Sequence, residues 1–166
     1  YLTDIIKLAR NDGRACVAVE GDEDELIGIN SRIQLAEAEA ILQDRLRLQA
    51  MESGVSLTDP TTVFLCQDTK FGKDVLIGPN VFFGPGVTVG DGAVINAFCH
   101  IEGTEVLSNA SIGPFARLRP GTKISEGAKV GNFVEVKNAL LEPEAKVSHL
   151  SYIGDAKIGE GANIGA

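Results

Sequence analysis

From Phe64 onward an aliphatic or phenylalanine side chain returns every six positions, and glycine often follows it. The series runs Phe71, Ile77, Phe83, Val89, Ile95, Ile101 and Leu107, slips by one, and resumes at Ile112, Leu118, Ile124, Val130 and Val136. It slips again through Leu141 and Val147 to Ile153, and once more to Ile158 and Ile164. Two positions before most anchors stands a small or β-branched residue, such as Val75, Val81, Ala93, Ala116 or Val134. A fixed period of this kind is the signature of a parallel β-helix. Each six-residue unit is a short strand and a corner, and three units close a triangular coil of about 18 residues that stacks on the next at about 4.8 Å. The expected core is a column of anchors, each resting on the one a coil earlier. The glycine after the anchor lets the backbone adopt an unusual φ or pass a neighbour closely.

The segment before the repeat has a different pattern. Leu2, Ile5, Ile6, Leu8 and Ala9 recur at helical spacing, and Asn11-Asp12-Gly13 ends the run. Ala15 to Glu20 (ACVAVE) reads as a strand, and Gly21 to Glu25 as an acidic loop. Ser31 to about Ser53 is rich in Ala, Leu, Glu, Gln and Arg and predicts one long helix, stopped by Gly54. The domain organisation expected is a short α/β remnant over 1–32, a linker helix over 33–53 and a β-helix over 54–166. The opening Tyr1 and the absence of a signal-peptide pattern point to a piece of a longer cytoplasmic protein.

Composition narrows the function. The 166 residues carry 15 Lys+Arg against 23 Asp+Glu, a formal charge of −8, which argues against nucleic acid as a partner. No apolar stretch is long enough to cross a membrane. Aromatic residues are 5% of the chain, so an aromatic-lined cavity is not expected. Cys16, Cys66 and Cys99 are widely spaced and suggest neither a disulfide framework nor a zinc knuckle.

Arg119 follows anchor Leu118 and Lys137 follows anchor Val136, one full coil apart. Two cations side by side on one wall suit a phosphate or carboxylate clamp, and otherwise are solvated surface charge. His149, twelve residues after Lys137, suits a general base or a satisfied structural imidazole. His100 has no clustered partner and reads as structural. Tyr152, Asn163 and Asn132 offer hydroxyl and amide groups for a sugar, although turn chemistry accounts for Asn132 equally well. Two histidines do not supply the three imidazoles a zinc hydrolase on this scaffold would need.

The runs Ile112-Gly113-Pro114-Phe115-Ala116-Arg117-Leu118-Arg119-Pro120-Gly121, Val130 to Lys137 (VGNFVEVK), His149 to Ala156 (HLSYIGDA) and Asn163 to Ala166 (NIGA) resemble one family. It joins N-acetylglucosamine-1-phosphate uridylyltransferase to glucosamine-1-phosphate N-acetyltransferase. Tyr1 to Ile6 (YLTDII) and Gly28 to Arg32 (GINSR) resemble the last segments of its uridylyltransferase domain. The resemblance implies a left-handed β-helix and acetyl transfer from acetyl-CoA, with His149 as catalytic base. It implies that Arg119, Lys137, Tyr152 and Asn163 bind the sugar phosphate, and that Ala166 touches acetyl-CoA. Asn30 is implied to bind the nucleotide sugar and its Mg²⁺ in the other active site. The product of the two reactions, UDP-N-acetylglucosamine, feeds peptidoglycan and lipopolysaccharide, and the implied assembly is a cytoplasmic homotrimer with sites between subunits. Most of the uridylyltransferase and the last coils are absent from these 166 residues, so this piece alone is expected to be inactive. Two alternatives stand beside it: another hexapeptide acyltransferase, acting on a nucleotide sugar or an amino acid, and a non-catalytic trimerisation β-helix. On the catalytic reading, Arg119, Lys137 and His149 are expected to converge on a single wall.

Overall fold

The computed structural model describes residues 1–165, which form two compact units, Tyr1–Ile41 and the chain from Leu42 onward. In the first unit, helix α1 spans Asp4–Asn11 and a 3-10 turn spans Glu23–Glu25. Helix α2, Arg32–Glu52, begins here and runs into the second unit. Its start follows from local chemistry: the Ser31 hydroxyl accepts the Gln34 N–H at 3.2 Å, and the Gln34 side chain accepts the Asn30 N–H at 2.7 Å. The strand expected over residues 15–20 does not form. Those residues are exposed, and among the described residues no strand pairs with them to supply a ladder.

The second unit opens with the end of α2. Gly54, at φ 103°, terminates it, with the Gly54 and Val55 N–H groups donating to the Met51 and Ala50 carbonyls. Two polar side chains of this helix are buried against the first coil. Gln43 donates to the Leu65 carbonyl at 2.8 Å and accepts the Leu65 N–H at 2.9 Å. Arg47 donates to the Val63 carbonyl and pairs with Asp44. The carboxamide of Gln43 thus stands in for one more strand at Leu65, pairing both backbone groups of that residue on the open edge.

Among the described residues, eighteen short parallel strands make three walls. Wall I has seven strands: Ser56–Leu57, Leu76–Ile77, Val94–Ile95, Ser111–Ile112, Lys129–Asn132, Lys146–His149 and Asn163–Ile164. Wall II has five: Phe82–Phe83, His100–Ile101, Arg117–Leu118, Glu135–Lys137 and Tyr152–Gly154. Wall III has six: Lys70–Phe71, Thr88–Val89, Thr104–Val106, Thr122–Ile124, Leu140–Leu141 and Lys157–Ile158. The chain visits the walls in the order I, II, III, and each coil rests on the one before it.

The anchors point inward as the period requires. Ile77, Ile95, Ile112, Val130 and Val147 are fully buried and stack in register down wall I, as do Ile101, Leu118 and Val136 down wall II. One position is corrected. Val106, not Leu107, is the anchor of its unit: it is buried and pairs with Val89 and Ile124, whereas Leu107 is only half-buried. The missing residue is therefore lost between Ile101 and Val106, at the corner from wall II to wall III. The later slips, Val136 to Leu141 and Ile153 to Ile158, fall at the same corner, so coils of 17 and 18 residues coexist without breaking the column.

The two roles offered for the glycine after the anchor are also separated. Gly78 does not have a positive φ; its missing side chain leaves room for the next coil, since a Cβ there would lie 2.7 Å from the Ala97 nitrogen. Gly113, after anchor Ile112, does take the other role with φ 84°, and non-glycine left-handed backbone falls at corners such as Asp74, Asn80, Asn109, Asn138 and Asp155, where a short polar side chain tolerates it.

Candidate functional site

The corner between walls I and II breaks that polar rule. After Asn80 its left-handed non-glycine positions are Phe98, Phe115, Phe133 and Leu150, with φ of 61°, 55°, 55° and 47°. Non-glycine residues there are uncommon, and bulky ones are outliers. The rings of Phe98 and Phe115 stack at 4.8 Å, and those of Phe115 and Phe133 at 5.1 Å. All four side chains are exposed, forming an apolar ridge. Sequence reasoning missed this ridge, although a phenylalanine three residues after the wall I anchor in successive coils was its signal.

Wall II beside the ridge carries the charge. Leu118 pairs with Val136, and the Arg119 N–H donates to the Val136 carbonyl at 2.9 Å, so Arg119 and Lys137 are neighbours on consecutive coils of one wall. The expected juxtaposition is present. Glu135 accepts a hydrogen bond from Arg119 at 2.8 Å. This bond, more than any other influence, holds the Arg119 guanidinium above its already high usual value. Lys137 makes no ion pair among the described residues. A second pair, Arg117 with Glu102 at 3.3 Å, extends the patch. Tyr152 lies on the next coil, in register with Glu135.

His149 is not on this wall. It ends the strand Lys146–His149 of wall I, exposed, and Leu150 and Ser151 carry the chain around the corner to Tyr152. The single-wall expectation is corrected to two walls meeting at the ridge, because the chain's order of walls puts the histidine's unit before the corner and the cations' units after it. Asn163 is also on wall I, where it accepts a hydrogen bond from the Ser148 hydroxyl at 3.3 Å. Ala166 lies outside the described residues. His100 is half-buried on wall II with its ring 4.7 Å from that of Phe82.

Asn30 is exposed in the first unit. It offers Mg²⁺ one neutral carboxamide oxygen, whereas that ion takes about six oxygens and is usually held by carboxylates. Among the described residues no group of three or more His, Cys, Asp and Glu could hold a metal. The residues present do not fit a Mg²⁺ site. No helix among the described residues is long and apolar enough to cross a membrane.

A three-walled coil with a six-residue period defines the class, and residues 68–103 match the family described as bacterial transferase hexapeptide (six repeats). The whole chain is also similar to part of proteins named bifunctional protein GlmU, at 63% identity in Rhodospirillum rubrum, 60% in Azorhizobium caulinodans and 59% in Paramagnetospirillum magneticum. Each alignment covers 100% of this chain and 37% of the relative, so the chain spans little more than a third of these proteins. Among solved structures, the acetyltransferase domain of PglB from Neisseria gonorrhoeae aligns over 75% of this chain and 62% of its own, with a TM-score of 0.38 and 14% identity, too loose a likeness to assign a function.

Proposed function

We propose that this chain carries part of a site that moves an acetyl group from acetyl-CoA to the amine of glucosamine-1-phosphate. The observation that carries the proposal is the register of Arg119 with Lys137 on wall II, next to the corner at which His149 ends wall I. Paired cations suit the sugar phosphate, Arg119 through a planar fork and Lys137 as a point charge. Glu135 pre-orients the fork. Tyr152 lies on wall II past the corner, Asn163 lies on wall I bonded to Ser148 beside His149, and both meet sugar hydroxyls. Fixing the phosphate turns encounter into position.

His149 takes a proton from the 2-amino group as its nitrogen attacks the thioester carbonyl. The carbonyl becomes a tetrahedral oxyanion, which collapses to the amide as the carbon–sulfur bond breaks, and the His149 imidazolium returns its proton to the sulfur so that CoA leaves as a thiol. General-base help of this kind is worth about 10²–10⁴-fold. No cysteine is needed, because direct transfer forms no acyl-enzyme. Ala166 and residues beyond it would meet acetyl-CoA.

The full-length protein would also transfer uridylyl from UTP to N-acetylglucosamine-1-phosphate, with Asn30 contributing to the nucleotide-sugar site and other residues holding Mg²⁺. We place the protein in the cytoplasm, with residues 1–32 as the end of the uridylyltransferase, 33–53 as the linker and 54–166 as a left-handed coil. The assembly is a homotrimer, and the exposed ridge of Phe98, Phe115 and Phe133 supports it, because an apolar ladder held in left-handed backbone gains most when a second copy covers it. The test is His149→Ala in the full-length enzyme. Acetylation of glucosamine-1-phosphate falls by at least 10²-fold, in line with a lost general base, while uridylyl transfer persists; equal loss of both activities overturns the assignment.

A further inference from the structure

At the corner between walls I and II, the same position recurs in each coil: Pro79, Ala97, Pro114, Asn132 and His149, each two residues after a wall I anchor. In the earlier coils pairing on wall I stops at the anchor, and the strands are two residues long. Between Lys129–Asn132 and Lys146–His149 it does not. Both strands extend to four residues, and the ladder gains one rung that joins Asn132 to His149. Two features of residues 131 and 132 permit this. Asn132 keeps a backbone N–H where Pro114 and Pro79 have none, a necessary feature but not a sufficient one, since Ala97 has an N–H and forms no such rung. Gly131 is buried, its φ is not positive, and a Cβ on it would collide with the carbonyl oxygen of Ser148, the residue before the histidine. Glycine is required there because the next coil closes onto it. The Leu150 N–H donates to the Asn132 carbonyl at 3.1 Å on the far side of His149, a bond that the earlier coils make too, from Phe98 to Pro79 and from Phe115 to Ala97, so the rung is what distinguishes this coil.

We propose that Gly131 and Asn132 are positioning residues for His149, acting through the backbone: one coil supplies an extra rung that fixes where the next coil presents its imidazole. The proposal rests on His149 being the base. A base must lie within hydrogen-bond reach of its proton, and misplacement by about 1 Å can cost 10²-fold in rate. The side chain itself stays exposed, so a rigid backbone is what sets its position.

The test uses the full-length enzyme and steady-state acetylation of glucosamine-1-phosphate. Asn132→Pro removes the rung with a residue the fold already carries at the equivalent corner, Pro114. It lowers kcat by about 10–100-fold and leaves the KM for the sugar phosphate within about twofold, since Arg119 and Lys137 belong to another wall. Gly131→Ala does the same. Ala97→Pro, three coils before the histidine, places a proline at an equivalent corner that has no extra rung and leaves kcat unchanged, so an effect of a corner proline as such is excluded by its side. A loss from Asn132→Ala as large as that from Asn132→Pro would move the effect to the side chain and overturn the proposal. So would a kcat within twofold of the parent in Asn132→Pro. If His149→Ala itself keeps full acetylation, the assignment of the base fails, and that result is separate from either of these.

Discussion

Replacing Leu118 by alanine tests the column on which the cationic wall is mounted. Leu118 has no exposed surface and stacks in register between Ile101 and Val136. The flanking backbone cannot fold into the space, because the Arg117 and Arg119 N–H groups are bonded to the Val134 and Val136 carbonyls at 3.0 and 2.9 Å. A site that cannot collapse falls in the middle or upper part of the range of about 2.7–5 kcal/mol found for buried leucine to alanine changes. About 3–4 kcal/mol at about 3 °C per kcal/mol lowers Tm by about 10 °C. Arg117→Ala, on the solvent side of the same strand, moves Tm by about 2 °C or less. The assay is thermal unfolding followed by far-ultraviolet circular dichroism at matched concentration. A drop below about 3 °C for Leu118→Ala would mean that the anchors do not carry the stability, and the account of the coil would fail.

Arg119→Ala removes the fork that Glu135 orients, and charge-assisted hydrogen bonds of this type correspond to about a tenfold to hundredfold loss of affinity. Titration calorimetry of the full-length enzyme with glucosamine-1-phosphate reads it, and a Kd within twofold of the parent refutes the clamp. Burial pushes the Cys99 thiol up to about 11, so at pH 8 it stays protonated and unreactive. Its folded value lies above the unfolded one, so the stability it contributes is complete below about pH 8.5 and is lost as the pH rises toward 11. Thiol titration of the native chain therefore modifies the exposed Cys16 first and Cys99 only after denaturant is added; simultaneous reaction of both contradicts the burial.

The six-residue period made most of the coil legible, because only one kind of fold rewards an aliphatic anchor at that spacing. Its failure at Leu107 has a simple cause. Val106 and Leu107 are adjacent aliphatics, and counting by six from Ile101 selects the second, while the corner between walls II and III is one residue shorter. The strand expected at residues 15–20 shows the opposite limit, since alternation describes a strand's own faces and says nothing of whether a partner lies beside it. Gln43 and Arg47 look like solvent residues of a helix, and their burial follows from an edge that needs capping rather than from their own polarity. The pairing of Arg119 with Lys137 was legible as a spacing of one coil. That His149 approaches from the neighbouring wall was not, because periodicity gives the order of walls only once the corners are assigned.

The most direct test of the proposed site is a crystal structure of the full-length protein with glucosamine-1-phosphate bound. The account predicts the phosphate within about 3.5 Å of both the Arg119 guanidinium and the Lys137 ammonium, with the 2-amino nitrogen in hydrogen-bond reach of a His149 imidazole across the ridge. A sugar seated on wall III, or a phosphate held by neither cation, would contradict it.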